Sequence, residues 1–251
     1  MFNILLVIIG SIVYGFLPIF VKNIIPYNYS SISIVFYRYL FTSITLFIII
    51  VIRKKSFKIN KKQFIELFIF SVIGLGLPFY LLSQSLLYIS AGLMNMIHFG
   101  YPVVVLILMT LIYKEKINLL KILSALSSII GIFLLTKIAA IESFKGIIYA
   151  LLTTITYGVY IIANKKSSFA SLDTMVSLFY MSLIVSIVFF IAGILTNSLQ
   201  LLNNIFVFYN FTAISILCTI FSLGLLLYGV KQLGSSLASI LNMFEPTTTV
   251  I

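Results

Sequence analysis

Long apolar stretches separated by short polar loops dominate this chain. A bilayer-spanning helix needs roughly 20 mostly apolar residues. Nine segments meet or approach that length: 2–21, 32–52, 64–86, 91–113, 119–136, 145–164, 173–196, 206–230 and 234–251. The predicted fold class is therefore an all-α polytopic membrane protein. The first segment lacks a basic leader and a small-residue cleavage site, and it is long enough to span, so it reads as a retained helix rather than a signal peptide.

The loops orient the helices. Arg53, Lys54, Lys55, Lys58, Lys61 and Lys62 cluster between the second and third segments, and cytoplasmic loops carry the excess of Lys and Arg. Alternation then puts Lys114, Lys116, Lys121, Lys165, Lys166 and Lys231 on the same side, and Lys22, Lys137 and Lys145 on the other. Twelve of the 16 basic residues thus face the cytoplasm, three face outward and Arg38 lies within a segment. The expected N-terminus is cytoplasmic, in a multi-pass protein of the plasma membrane.

Composition agrees. Of 251 residues, 62% are hydrophobic and 8% charged, and the mean hydropathy is +1.23, whereas soluble domains are nearer half apolar and a quarter charged. A net charge of +11 would suggest nucleic acid for a soluble chain. Here the charge sits in loops, and no nucleic-acid partner is expected. The lone Cys218 excludes an internal disulfide, and without tryptophan the interfacial aromatics must come from the 15 tyrosines.

A polar patch beside a proline occurs twice. In Gly92–Leu106, Asn95, His98 and Pro102 share one helix face at three- and four-residue spacing. Shifted by 144 residues, His98 falls on Asn242, Tyr101 on Glu245 and Pro102 on Pro246. Tyr14-Gly15 with Lys22 matches Tyr157-Gly158 with Lys165 at an offset of 143. Two nearly equal offsets predict duplicated halves of five helices, 1–138 and 144–251. An odd helix count inverts the second copy, as in carriers with a midplane site. By that symmetry roughly 30 residues, the end of the ninth helix and a tenth, would be missing from the second half, so a truncated ten-helix fold is expected.

The chain resembles the EamA-type permeases of the drug/metabolite transporter superfamily. The resemblance rests on Gly10-Ser11-Ile12-Val13-Tyr14-Gly15 with Pro18 and Lys22, on Phe36-Tyr37-Arg38-Tyr39-Leu40, and on Tyr88 through Ala91-Gly92-Leu93 to Pro102. Lys114-Glu115-Lys116 and Leu237-Ala238-Ser239 leading to Glu245-Pro246 complete it. It implies a ten-helix inverted repeat with a cavity lined mainly by helices one, three, four, six, eight and nine, and with five and ten peripheral. It also implies movement of small metabolites, many members exporting amino acids or related compounds and some importing; a homodimer is a candidate assembly.

Arg38, about six residues into its helix, is either a substrate-carboxylate or ion-pair partner facing inward, or a residue that snorkels to the outer headgroups. Glu245 is expected near the midplane, where a carboxylate must be protonated, paired or facing water. It would carry a proton, bind a substrate ammonium, or fasten a helix loosened by Pro246. His98 would bind substrate, titrate during the cycle, or donate to a neighbouring carbonyl; a lone histidine makes no metal site. Gln84, Asn95 and Asn242 are candidate cavity amides, and Tyr14, Tyr101 and Tyr157 candidate cavity aromatics. Pro18, Pro78, Pro102 and Pro246 are candidate helix breaks. Glu66 and Glu115 read as interfacial.

No phosphate-binding loop or soluble domain suggests ATP use. No cofactor is called for, and one histidine with one deep glutamate is a thin set for an intramembrane enzyme. The expected activity is secondary transport by alternating access, most simply export, driven by protons or by the substrate's own gradient. Uptake, a membrane scaffold and an intramembrane enzyme are the alternatives.

Overall fold

The computed structural model describes residues 2–116, 119–135 and 143–245. Helices α1 (Phe2–Ile24), α2 (Ser31–Ile52), α3 (Lys61–Ser85), α4 (Gly92–Tyr113), α6 (Phe144–Lys166), α7 (Thr174–Leu195) and α8 (Ile205–Leu233) are long and apolar enough to cross a membrane. Between α4 and α6 lies the shorter α5 (Leu119–Leu135). A short apolar α9 (Ser235–Phe244) follows α8. No strand occurs among the described residues.

Helix starts are written in the sequence. Ser30 accepts from the Ser33 amide at α2, and Asn60 and Gln63 form a reciprocal capping box at α3. Ser90, Asp173 and Asn204 cap α4, α7 and α8. Each satisfies a backbone donor that the first helical turn leaves open.

Three of the four expected breaks fall on described residues. Each proline is the second residue of a resumed helical segment: Leu17-Pro18 after a turn at Gly15-Phe16, Leu77-Pro78 after a π turn at Val72–Gly76, and Tyr101-Pro102 after a turn at Phe99-Gly100. At the π turn the Leu77 amide donates five residues back to Val72 O, absorbing the register that Pro78 cannot continue. Pro246 lies outside the described residues. Of the ninth segment the described part is α-helical to Leu241, a 3-10 turn carries it to Phe244, and Glu245 lies in the turn that follows; 246–251 lie outside the described residues.

The core is built by packing early helices on late ones. α2 lies along α7, α3 along α6, α1 along α8, and α4 against both α6 and α9. Glycines permit the closest crossings: a Cβ on Gly74 would lie 2.4 Å from Tyr160 Cβ, and one on Gly229 would overlap Val7. α5 packs on α4 and α9 and leaves Leu119, Leu120 and Leu134 exposed, as expected of a peripheral helix.

The face carrying the basic 53–60 loop is tied across the bundle. Lys55 pairs with Asp173 at 2.6 Å, and Glu66 Oε2 accepts from the Ser168 amide at 2.6 Å and its hydroxyl at 2.7 Å. Lys231 donates to Leu172 O at 2.6 Å, and Ser236 donates to Glu115, which pairs with Lys121. Glu66 and Glu115, expected to be interfacial, both make cross-bundle bonds at this end of the bundle.

Asp173 both caps α7 and pairs with Lys55. Burial pushes its carboxyl up, but the Lys55 hydrogen bond, the Met175 amide and the Lys55 charge outweigh this and hold it below its ordinary range. A depressed folded pKa gives stability that is present above the unfolded value of about 3.9 and lost as pH falls through the folded one. Wild type should therefore be more stable than Asp173→Ala near neutrality by about 1 kcal/mol, the worth of a cap. Comparing their unfolding midpoints from pH 7 to 3 should show that advantage shrinking only in the acid range.

Candidate functional site

A cavity of about 200 Å³ occupies the centre of the bundle. Its deep end is formed by Tyr14, Tyr157, His98 and Glu245, and it runs past Pro78 and Asn95 to Val21 and Leu86. Leu86 is 43% exposed and closes α3 at the end opposite the basic loop. The walls are mostly apolar with few polar groups, as small-molecule sites generally are.

Broken helices supply most of the wall. Leu17 and Val21 of α1, Pro78, Phe79, Leu82 and Ser83 of α3, and Met94, Asn95 and His98 of α4 all lie on the side of each break that faces away from the basic loop.

His98 sits in an aromatic cluster, its ring 5.4 Å from Tyr157 and 5.7 Å from Tyr101, with those two rings 4.8 Å apart. Its Nδ1 is 2.9 Å from Thr153 Oγ1, and that hydroxyl donates to Ala150 O at 2.7 Å. With the Thr153 proton on Ala150 O, the Thr153 oxygen accepts from Nδ1–H. This assigns the neutral ring its lone pair at Nε2. Of the expected alternatives, donation to a carbonyl is replaced by donation to a hydroxyl.

Glu245 is half-buried on the cavity wall. Asn242 Nδ2 donates to its Oε2 at 3.3 Å, and Ser11 Oγ lies 3.0 Å from Asn242 Oδ1. The amide therefore orients the carboxylate and is itself buried. Tyr101 is fully buried and donates to Ser239 O at 3.3 Å, so it backs the site without lining it. Gln84 is half-buried and off the cavity wall.

Arg38 does not snorkel; it is completely buried. Its Nε donates to Thr219 Oγ1 at 3.0 Å and its Nη2 to the Tyr14 hydroxyl at 3.1 Å. The guanidinium lies 4.7 Å from the Phe79 ring centre, 5.2 Å from Tyr39 and 5.6 Å from Tyr14. Its socket is completed by a ten-residue π segment, Ile214–Leu223, whose Ser215 hydroxyl donates to Arg38 O at 2.8 Å. Among the candidates, Tyr14, Asn95, His98, Tyr157 and Glu245 meet around one cavity, and Arg38 and Asn242 stand directly behind it. Tyr39 of α2 and Phe79 of α3 also line it. Their signal lay in the aromatic residues flanking Arg38 and Pro78. No group of three or more His, Cys, Asp or Glu residues is placed to hold a metal among the described residues.

Helices long and apolar enough to span a bilayer, several of them broken beside a cavity lined by a few polar groups, define a polytopic helical protein. The sequence pattern of the EamA-like transporter family matches residues 1–137 and 144–251. The chain belongs to that family and is a multi-pass membrane protein. Over 160 residues it is 30% identical to an uncharacterized inner membrane transporter, YhbE, of Escherichia coli K12, covering 62% of this chain and 48% of that protein. The YhbE of Shigella flexneri matches equally. The chain thus spans about half the length of these curated relatives. A crystal structure at 12% identity superposes with a TM-score of 0.75, covering 94% of this chain and 85% of the other, a likeness of fold alone.

Proposed function

We propose that the chain is a secondary carrier that moves a small metabolite, an amino acid or a related compound, across the plasma membrane by alternating access. The single observation that carries this reading is the central cavity. Its lining runs from Tyr14, Tyr157 and Glu245 out to Leu86 at a helix end on one face, while on the opposite face the Lys55–Asp173 and Glu66–Ser168 bonds tie the helices together. With the basic face cytoplasmic, the arrangement is outward-facing.

The helix pairing supports two inverted halves. Exchanging helices 1–4 for 6–9 turns the α3–α6 pair into α8–α1 and the α4–α6 pair into α9–α1, and returns α2–α7 and α4–α9 to themselves; all of these pairs pack. Glu245 is the sole acidic residue on the described cavity wall, so it is the group that would carry a coupled proton.

The test is metabolite profiling of a bacterial host expressing this chain, beside Glu245→Ala. A solute depleted in cells and enriched in the medium only with wild type is the expected result, with flux in the variant reduced at least tenfold. The opposite shift would mean uptake. Unchanged profiles with folded, inserted protein would overturn the carrier reading.

A further inference from the structure

We propose that the cavity selects an organic cation, a solute bearing an ammonium or similar donor-only head on an aromatic or apolar body and lacking a free carboxylate. The inference rests on the carrier reading and narrows its substrate, from amino acids and related compounds, to those relatives that lack the carboxylate.

Two residues that line the cavity carry acceptors. One is the Glu245 carboxylate, held by Asn242. The other is His98 Nε2, left as a lone pair because Nδ1–H is spent on Thr153. A head group that only donates can bond to both; a carboxylate would find no proton at Nε2, and like charge at Glu245 whenever that group is ionised.

The walls hold no lysine or arginine among the described residues. The nearest cation, Arg38, is sealed off: it has no exposed surface, and Tyr14, Tyr39 and Phe79, which do line the cavity, cover its guanidinium. Its Nη1 donates no hydrogen bond among the described residues, which makes Arg38 the one place where a substrate carboxylate could compete, at the cost of parting those rings. Tyr157, its ring tilted at 50° to His98, leaves an aromatic wall for the body of the solute.

Tyramine and tyrosine differ by the carboxylate alone, and tyrosine methyl ester masks it. The purified full chain in detergent is titrated with each, and the shift in thermal unfolding is read. Tyramine and the ester are expected to give half-maximal shifts at concentrations at least tenfold below tyrosine. Glu245→Gln should erase that preference while leaving the unliganded midpoint near wild type. Tyrosine acting as well as tyramine, or no shift with any of the three, overturns the inference. The two readings fail separately. Flux of a carboxyl-bearing solute in cells would sink the cation class and leave the carrier. Glu245-dependent tyramine binding without flux of any solute would sink the carrier and leave the site.

Discussion

Arg38→Ala is expected to lower stability by roughly 2–5 kcal/mol, the usual cost of truncating a large buried side chain to alanine. The guanidinium bonds Thr219 of α8 and Tyr14 of α1, and packs on Phe79 of α3, so one side chain of α2 joins four helices. Truncation removes two charge-assisted hydrogen bonds, worth roughly 1.5–3 kcal/mol each. It also opens a void beneath three rings. Arg38→Met separates the two effects: it restores volume and not hydrogen bonding, and desolvation of a buried charge makes such a swap far milder than truncation. Arg38→Lys should behave closer to alanine, since an ammonium cannot serve Thr219 and Tyr14 with a planar fork. Cys218, buried and the sole cysteine, provides the readout through its reaction with a thiol-reactive dye on heating. An alanine variant with the wild-type midpoint would show that this network carries no stability.

The second large effect is expected at Gly74→Ala. Its Cβ would lie 2.4 Å from Tyr160 Cβ and 3.2 Å from Tyr160 Cα, so no rotamer change relieves it and α3 must move off α6. Overpacking of this kind costs typically 1–3 kcal/mol and occasionally more, well above the gain of up to about 1 kcal/mol from replacing a helical glycine. Because the clash is with Cβ, a double-mutant cycle gives a distinctive pattern. Gly74→Ala should be cheaper in a Tyr160→Gly background than in Tyr160→Ala. Equal costs in both would move the clash elsewhere.

Much of the fold was legible because a bilayer leaves few choices. Apolar length alone marks the segments, and polar caps such as Asn60 with Gln63 mark their starts. The candidate site was half legible: an amide, a histidine and a glutamate inside apolar helices stand out because each is costly there, and Asn95, His98 and Glu245 do share a cavity. Sequence could not say that Arg38 faces inward, since that depends on a partner 181 residues away. Nor could it foresee the π segment at Ile214–Leu223, whose trace is only the small polar Ser215, Thr219 and Ser222 in an apolar run. The ties from Glu66 to Ser168 and from Lys55 to Asp173 were hidden for the same reason: loop charges look alike until the chain is folded.

The three proline breaks have a mechanical consequence. A continuous helix resists bending because every turn would have to give up hydrogen bonds. At Gly15-Phe16, at Val72–Gly76 and at Phe99-Gly100 the regular ladder is already interrupted. α1, α3 and α4 are therefore jointed poles, and the joints lie at the level of Tyr14, Leu75 and His98, around the floor of one cavity. The upper sections that form its wall can tilt without tearing further backbone bonds, while the lower sections stay moored to the tied basic face. Compliance is concentrated in a single belt around the bundle's waist.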